Sequence, residues 1–178
     1  TGTLNTYLNN DYYNTLTSDA KNMIGTTKYY LGSSSGAKIK NDSMWQNERK
    51  KEPDSTGKNP VVQNDASKKI AIMYASDYGY GASKECTSNL YSYNDSANCI
   101  TTNNWLDKSI NTWLLTRIMD EYNYAFVIYS SGYVSYVRNS TDVNKYKSAI
   151  LPTLTLSSNV KISEGSGTSS DPYTLSVN

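Results

Sequence analysis

Residues 124–138, YAFVIYSSGYVSYVR, place two apolar and aromatic runs on either side of Ser130-Ser131-Gly132. Two antiparallel strands joined by a loop of about three residues, with Gly in the left-handed position, account for that pattern. The rest of the chain must therefore be compatible with an antiparallel sheet built round this hairpin. Downstream, Leu154 and Leu156 alternate with Thr153 and Thr155 behind Pro152, Val160-Lys161-Ile162 is a further short strand, and Tyr173, Leu175 and Val177 mark a last one. GSGTSSDP between the last two is a loop, and Thr112–Thr116 reads as a strand ahead of the hairpin.

Upstream the pattern is helical. Leu4, Tyr7 and Leu8 fall at i, i+3 and i+4, and Tyr12, Tyr13 and Leu16 continue the face. Ser18 has the character of an N-cap, Asp19 of a first-turn residue, and Gly25 of a helix stop. A strand is expected at Thr27–Leu31 and a buried one in KIAIMY, 69–74; SDYGYG, with Gly79 and Gly81, reads as a turn. Residues 33–66 form an irregular insertion in which Trp45 anchors on the core and the charge run 48–52 is a solvated loop. Helices first and many short strands later give an α+β fold with a mainly antiparallel sheet, read as a single domain over 1–178.

Composition narrows the chemistry. With no His among 178 residues, Ser-His-Asp and Cys-His catalysis, zinc–histidine sites and imidazole pH switches are excluded. A net charge of +1 argues against a nucleic-acid partner, and no apolar run is long enough to span a membrane. Asp120 and Glu121 are adjacent and would point to opposite faces of a strand, so they are not a catalytic pair. No enzyme activity is expected and no cofactor is required. Calcium is the one metal left open, because Asp77, Asp95, Asp107 and Asp171 are scattered among Asn-rich loops.

The chain holds 17 Tyr against 1 Phe, and Ser, Thr and Asn together make 63 residues. Tyr, Ser, Asn and Gly are the residues of paratopes, and they are equally the output of AT-rich codon usage. Cys86 and Cys99, with twelve residues between them in a polar stretch, fit a disulfide and an extracellular or cell-surface setting. The opening TGTLNTYLNN, without Met or signal peptide, reads as an ectodomain or mature fragment.

In order, LNTYLNNDYYNTLTSDAKNMI, YYLG, WQNERK, KKIAIMYASDYGYGAS, the Cys pair, NNWL, NTWLLT, FVIYSSGYVSY and LTLSSNVKISEGSGTSSDPYTL resemble a group of bacterial surface proteins from Firmicutes-like gut bacteria. That group is similar to the C-type-lectin-like superfamily, alongside formylglycine-generating-enzyme-like domains and the variable proteins of diversity-generating retroelements; some members are pilin-like. The resemblance implies helices packed on small antiparallel sheets, with ligand held by strands and loops of the C-terminal half. Formylglycine-generating chemistry would need reactive thiols, which a disulfide-spaced pair does not supply. The chain departs from the group at Leu151, where an Arg is usual, and over Arg117–Glu121.

Those departures and the Tyr, Asn and Ser content of 117–146 point to a diversified ligand-binding face. Its candidate residues are Arg117, Tyr122, Tyr124, Tyr129, Tyr133, Tyr136, Arg138 and Asn139. On a strand, Val134, Tyr136 and Arg138 share one face while Tyr133, Ser135 and Val137 share the other, so one set is expected to face solvent. The function expected is recognition of a protein or glycan on a cell or phage surface. The alternative is a structural, pilin-like ectodomain of a bacterial surface fibre.

Overall fold

The computed structural model of the chain describes residues 3–49, 68–100, 104–119, 124–138, 148–168 and 170–177. It is an α+β fold whose residues divide into two compact units. One is drawn from Thr1–Tyr29, Asp65–Ala71 and Pro152–Asn178, the other from Tyr30–Asn64 and Ile72–Leu151.

In the first unit, α1 (Thr3–Thr6), a π-helical segment (Tyr7–Tyr12) and α2 (Tyr13–Thr15) form one helical run that ends where Leu16 turns extended. Leu8 is buried, whereas Tyr7, expected to pack, is exposed. Asn9 uses its carboxamide as a piece of sheet: Oδ1 accepts from the amides of Lys69 and Ile70, both at 3.1 Å, and Nδ2 donates to the Ile70 carbonyl at 2.9 Å. Those bonds occupy backbone groups at the start of β2 (Ile70–Ile72), the buried strand expected in KIAIMY. β2 pairs with β6 (Pro152–Leu154).

α3 (Ser18–Met23) is capped by Thr17, not Ser18, since the Thr17 hydroxyl accepts from the Ala20 amide at 3.2 Å. Gly25 does not adopt the left-handed conformation; Ile24 ends the helix by turning extended and bridging to Leu156. The strand expected at Thr27–Leu31 reduces to one bridge, Thr27 to Lys68. β7 (Val160–Glu164) and β8 (Thr174–Val177) form the expected C-terminal antiparallel pair. Gly165 and Gly167, at φ +90° and +80°, turn the loop between them.

The second unit is built on a four-stranded sheet in the order β1 (Ser33–Ser34), β3 (Thr112–Ile118), β4 (Tyr124–Ile128), β5 (Val134–Arg138). β1 runs parallel to β3 and the other pairs are antiparallel. The hairpin has the expected form: Gly132 lies at φ +92°, its amide donates to the Tyr129 carbonyl at 2.8 Å, and the Tyr129 amide donates to the Tyr133 carbonyl at 2.9 Å. β3 alternates strictly, burying Thr112, Leu114, Thr116 and Ile118 on one face. Leu114, Ile118, Phe126, Ile128 and Val134 form the core with Met44, Met73, Tyr78, Leu90 and Tyr93. Burial pushes the Tyr93 hydroxyl up to about 12 and raises that of Tyr78, which donates to the Gly132 carbonyl at 2.7 Å.

Two helices appear where loops are expected. α4 (Asn41–Arg49) occupies the supposedly irregular insertion. Its residues are mostly polar, and only Met44 and Glu48, four apart and hence on one face, are buried. Trp45 is not the anchor; it is 37% exposed, with the Arg49 guanidinium 4.8 Å from its ring, while Met44 enters the core.

α5 (Ala75–Tyr80) occupies the supposed turn, with Gly79 inside the helix. Gly79 is there for space: a Cβ at this position would overlap the Asn41 carboxamide oxygen. That carboxamide is buried, and neither of its polar atoms has a hydrogen-bond partner among the described residues. Gly79→Ala should therefore cost about 1–3 kcal/mol by overpacking. The same substitution in an Asn41→Ala background should cost less than about 1 kcal/mol. Urea midpoints of the four proteins check this; equal costs in both backgrounds would refute it.

Candidate functional site

Two places in the second unit combine exposed or charged chemistry with defined geometry. The first is a cluster about Glu48. Its carboxylate is fully buried and all four of its acceptor sites are used. Oε1 accepts from the Thr116 hydroxyl at 2.6 Å and the Ser76 amide at 3.1 Å, and Oε2 accepts from Arg49 at 3.0 Å and from the Ser76 hydroxyl. Burial raises its pKa above the ordinary carboxylate value, against the lowering effect of these partners. Thr116 Oγ1 in turn accepts from the Ala75 amide at 2.9 Å, and Asp77 Oδ2 accepts from Tyr74 N at 2.9 Å, so the first amides of α5 are satisfied by side chains. Arg49 lies between the rings of Trp45 and Tyr74, at 4.8 and 4.7 Å from their centroids. With no acceptor site left for a ligand, this cluster is architecture: it fastens α4 to α5 and β3. The charge run 48–52 thus begins with a buried residue rather than a solvated one; its positions beyond Arg49 lie outside the described residues.

The second is an aromatic surface at the end of the sheet. Tyr129 and Tyr133 flank the hairpin loop and stack with parallel rings 4.6 Å apart. Tyr133 meets the edge of Tyr91 at 5.8 Å, and the Lys38 ammonium sits 5.1 Å from the Tyr91 ring centre, within cation–π range. Beside them a cleft of about 540 Å³ is lined by Ser35, Gly36, Ala37, Lys38, Ile39, Tyr91, Ser135 and Tyr136. Tyr91 and Tyr136 are 42% and 43% exposed. Tyr136 is held in place by edge contacts with Tyr124 at 5.6 Å and Phe126 at 6.1 Å.

The sequence-predicted residues are partly gathered here. Tyr129 and Tyr133 stack on each other and reach the cleft through the contact of Tyr133 with Tyr91, and Tyr136 borders the cleft with Tyr124 against its ring. Arg117, half-buried on the opposite face of β3 from Leu114 and Ile118, stands apart from them. Tyr122 and Asn139 lie outside the described residues, as does the side chain of Arg138.

The expected division of β5 into a buried and a solvent face does not hold. Val134, on the face of Tyr136, and Val137, on the other, are both buried, while Tyr136, opposite the buried Phe126, is exposed. Lys38 and Tyr91 were not anticipated. Tyr91 lies inside the Cys86–Cys99 loop, and the disulfide is formed. Among the described residues no three of Cys, Asp and Glu come together as a metal site, and no helix is long and apolar enough to cross a membrane. No protein-family model matches the chain, and no curated protein or solved structure matches it.

Proposed function

We propose that the chain is an extracellular recognition module that binds its ligand on the surface formed by Lys38, Tyr91, Tyr129, Tyr133 and Tyr136. The observation that carries this reading is the placement of Tyr91 and Tyr136 at the rim of a cleft, half exposed and each fixed by another ring. Tyr contributes large, rigid contact area at low entropic cost, and preorganised aromatic residues beside a cleft have the character of binding hot spots. The Cys86–Cys99 disulfide supports an oxidising, extracellular setting. In this reading the C-type-lectin-like resemblance supplies the fold, and 117–146 is the stretch that a diversity-generating retroelement would vary. A reverse transcriptase and a template repeat beside the gene are the expected genomic companions.

On an array of glycans and surface proteins, Tyr91→Ala and Tyr136→Ala should each weaken the strongest signal by about tenfold or more. Their melting midpoints should stay close to that of the parent. Unchanged signals in both variants would place the site elsewhere.

A further inference from the structure

We infer that the cleft beside β5 receives an extended peptide segment bearing an acidic side chain, which adds to the sheet as a fifth strand. This rests on the recognition reading above and names its ligand.

The argument begins with the position of the cleft. Ser135 and Tyr136 are consecutive, so their side chains point to opposite faces of the sheet, yet both line the cleft. A cavity bordered by both runs along this strand. β5 is the terminal strand of the sheet, pairing with β4 alone among the described residues. The register then fixes which backbone groups face the cleft. Tyr129 and Tyr133 are a hydrogen-bonded pair across the hairpin, and bonded and non-bonded pairs alternate along an antiparallel ladder. Val127–Ser135 and Ala125–Val137 are therefore bonded pairs, and Phe126–Tyr136 is not. The amide and carbonyl of Tyr136 point away from β4, toward the cleft.

Among the described residues no backbone hydrogen bond joins the far wall to them. The Ala37 and Ile39 carbonyls accept from the Tyr91 and Leu90 amides at 3.0 and 3.2 Å, which ties that wall to the Cys loop instead of to β5. β5 has no proline, and its one charge is Arg138 at its last position, so Val134–Val137 is without the devices that commonly blunt edge strands. An edge with outward-facing amide and carbonyl groups, a cleft along it and an aromatic rim are the elements of strand addition, in which main-chain bonds give affinity and alternate side chains give specificity. The charge of the occupant follows from the lining: among the described residues Lys38 is its one charged side chain, so the complementary segment carries a carboxylate.

The test is a phage-displayed library of random linear dodecapeptides panned on the intact, oxidised chain. The best binder is then resynthesised with a single backbone N-methyl group at each position in turn. Strand addition is supported by binders that carry Asp or Glu and that lose about tenfold or more in affinity at alternate positions, with a period of two. Tyr136→Pro removes an outward-facing amide and no ladder bond, so it should weaken the peptide further than Tyr136→Ala, which removes only the ring. The methyl scan reads the binding mode even if that variant folds poorly. Losses without a two-residue period, or binders without an acidic residue, overturn the inference. An empty library together with a glycan signal that needs Tyr91 and Tyr136 overturns it as well but leaves the recognition reading standing. An empty library with no such array signal removes both.

Discussion

Replacing Glu48 by Ala is expected to lower stability by about 3–5 kcal/mol. The cost does not come from a lost ion pair with Arg49, which keeps the Asp77 carboxylate at 3.9 Å and its two aromatic neighbours. It comes from the donors left behind. The Ser76 amide, the Ser76 hydroxyl and the Thr116 hydroxyl all donate to Glu48 in a buried site, and each unsatisfied buried donor costs about 1–3 kcal/mol. Glu48→Gln keeps an acceptor for Thr116 and the Ser76 amide and should cost roughly 1–2 kcal/mol.

The two variants also separate hydrogen bonding from charge. Glu48 has its folded pKa raised above the unfolded value of 4.5, so the folded state binds the proton more tightly. The resulting stabilisation is complete below pH 4.5 and is lost as pH rises through the raised folded value. Relative to Glu48→Gln, the parent should therefore lose stability across that window, a slope the Gln variant lacks. Urea unfolding followed by tryptophan fluorescence, repeated from pH 4 upward in approximately half-unit steps, checks both statements. A Glu48→Ala variant within about 1 kcal/mol of the parent at neutral pH would show the network to be dispensable.

Glu48 also shows why part of this fold resists reading from sequence. The hairpin was legible because 124–138 carries its own turn chemistry and its own strand periodicity. β2 was legible because KIAIMY is apolar and bounded by polar residues. α4 was not, because NDSMWQNER contributes only two buried side chains, one of them a carboxylate, and helix formation there depends on partners at Ser76 and Thr116 far along the chain. Gly79 misled for a related reason: glycine punctuates turns when its φ requires it, but here it makes room for a side chain from another helix. The site divides in the same way. Tyr129, Tyr133 and Tyr136 could be chosen because the hairpin places them by local rules. Tyr91 and Lys38 reach the same surface only through the Cys loop and the segment after β1, and Arg117, near in sequence to the chosen tyrosines, lies toward the other end of β3 from the hairpin loop.

That dependence on the Cys loop makes its disulfide the second large effect. Cys86 and Cys99 are 13 residues apart and close a loop whose opening frees about 3 kcal/mol of chain entropy in the unfolded state. Reduction should lower the melting midpoint by about 6–12 °C for a chain of this length. The loop has native contacts that persist without the bond. The 3₁₀ segment Leu90–Asp95 buries Leu90 and Tyr93, Asn89 caps it by accepting from the Ser92 amide at 3.1 Å, and Cys99 sits wholly within the core. Cys86→Ala/Cys99→Ala is therefore the better variant than a Ser pair, which would bury a hydroxyl. It should remain folded while losing stability. Tyr91 projects from this same segment, so loosening the loop spreads the rim of the cleft. A binder that depends on Tyr91 should weaken in the Ala pair even well below its melting midpoint, whereas one that depends only on Tyr129 and Tyr133 should not. Thermal melts of the oxidised, reduced and Ala-pair proteins, with binding measured on each at a temperature where all are folded, decide the matter. Coincident melts would remove the stabilising role, and a lowered midpoint with unchanged binding would separate the disulfide from the site.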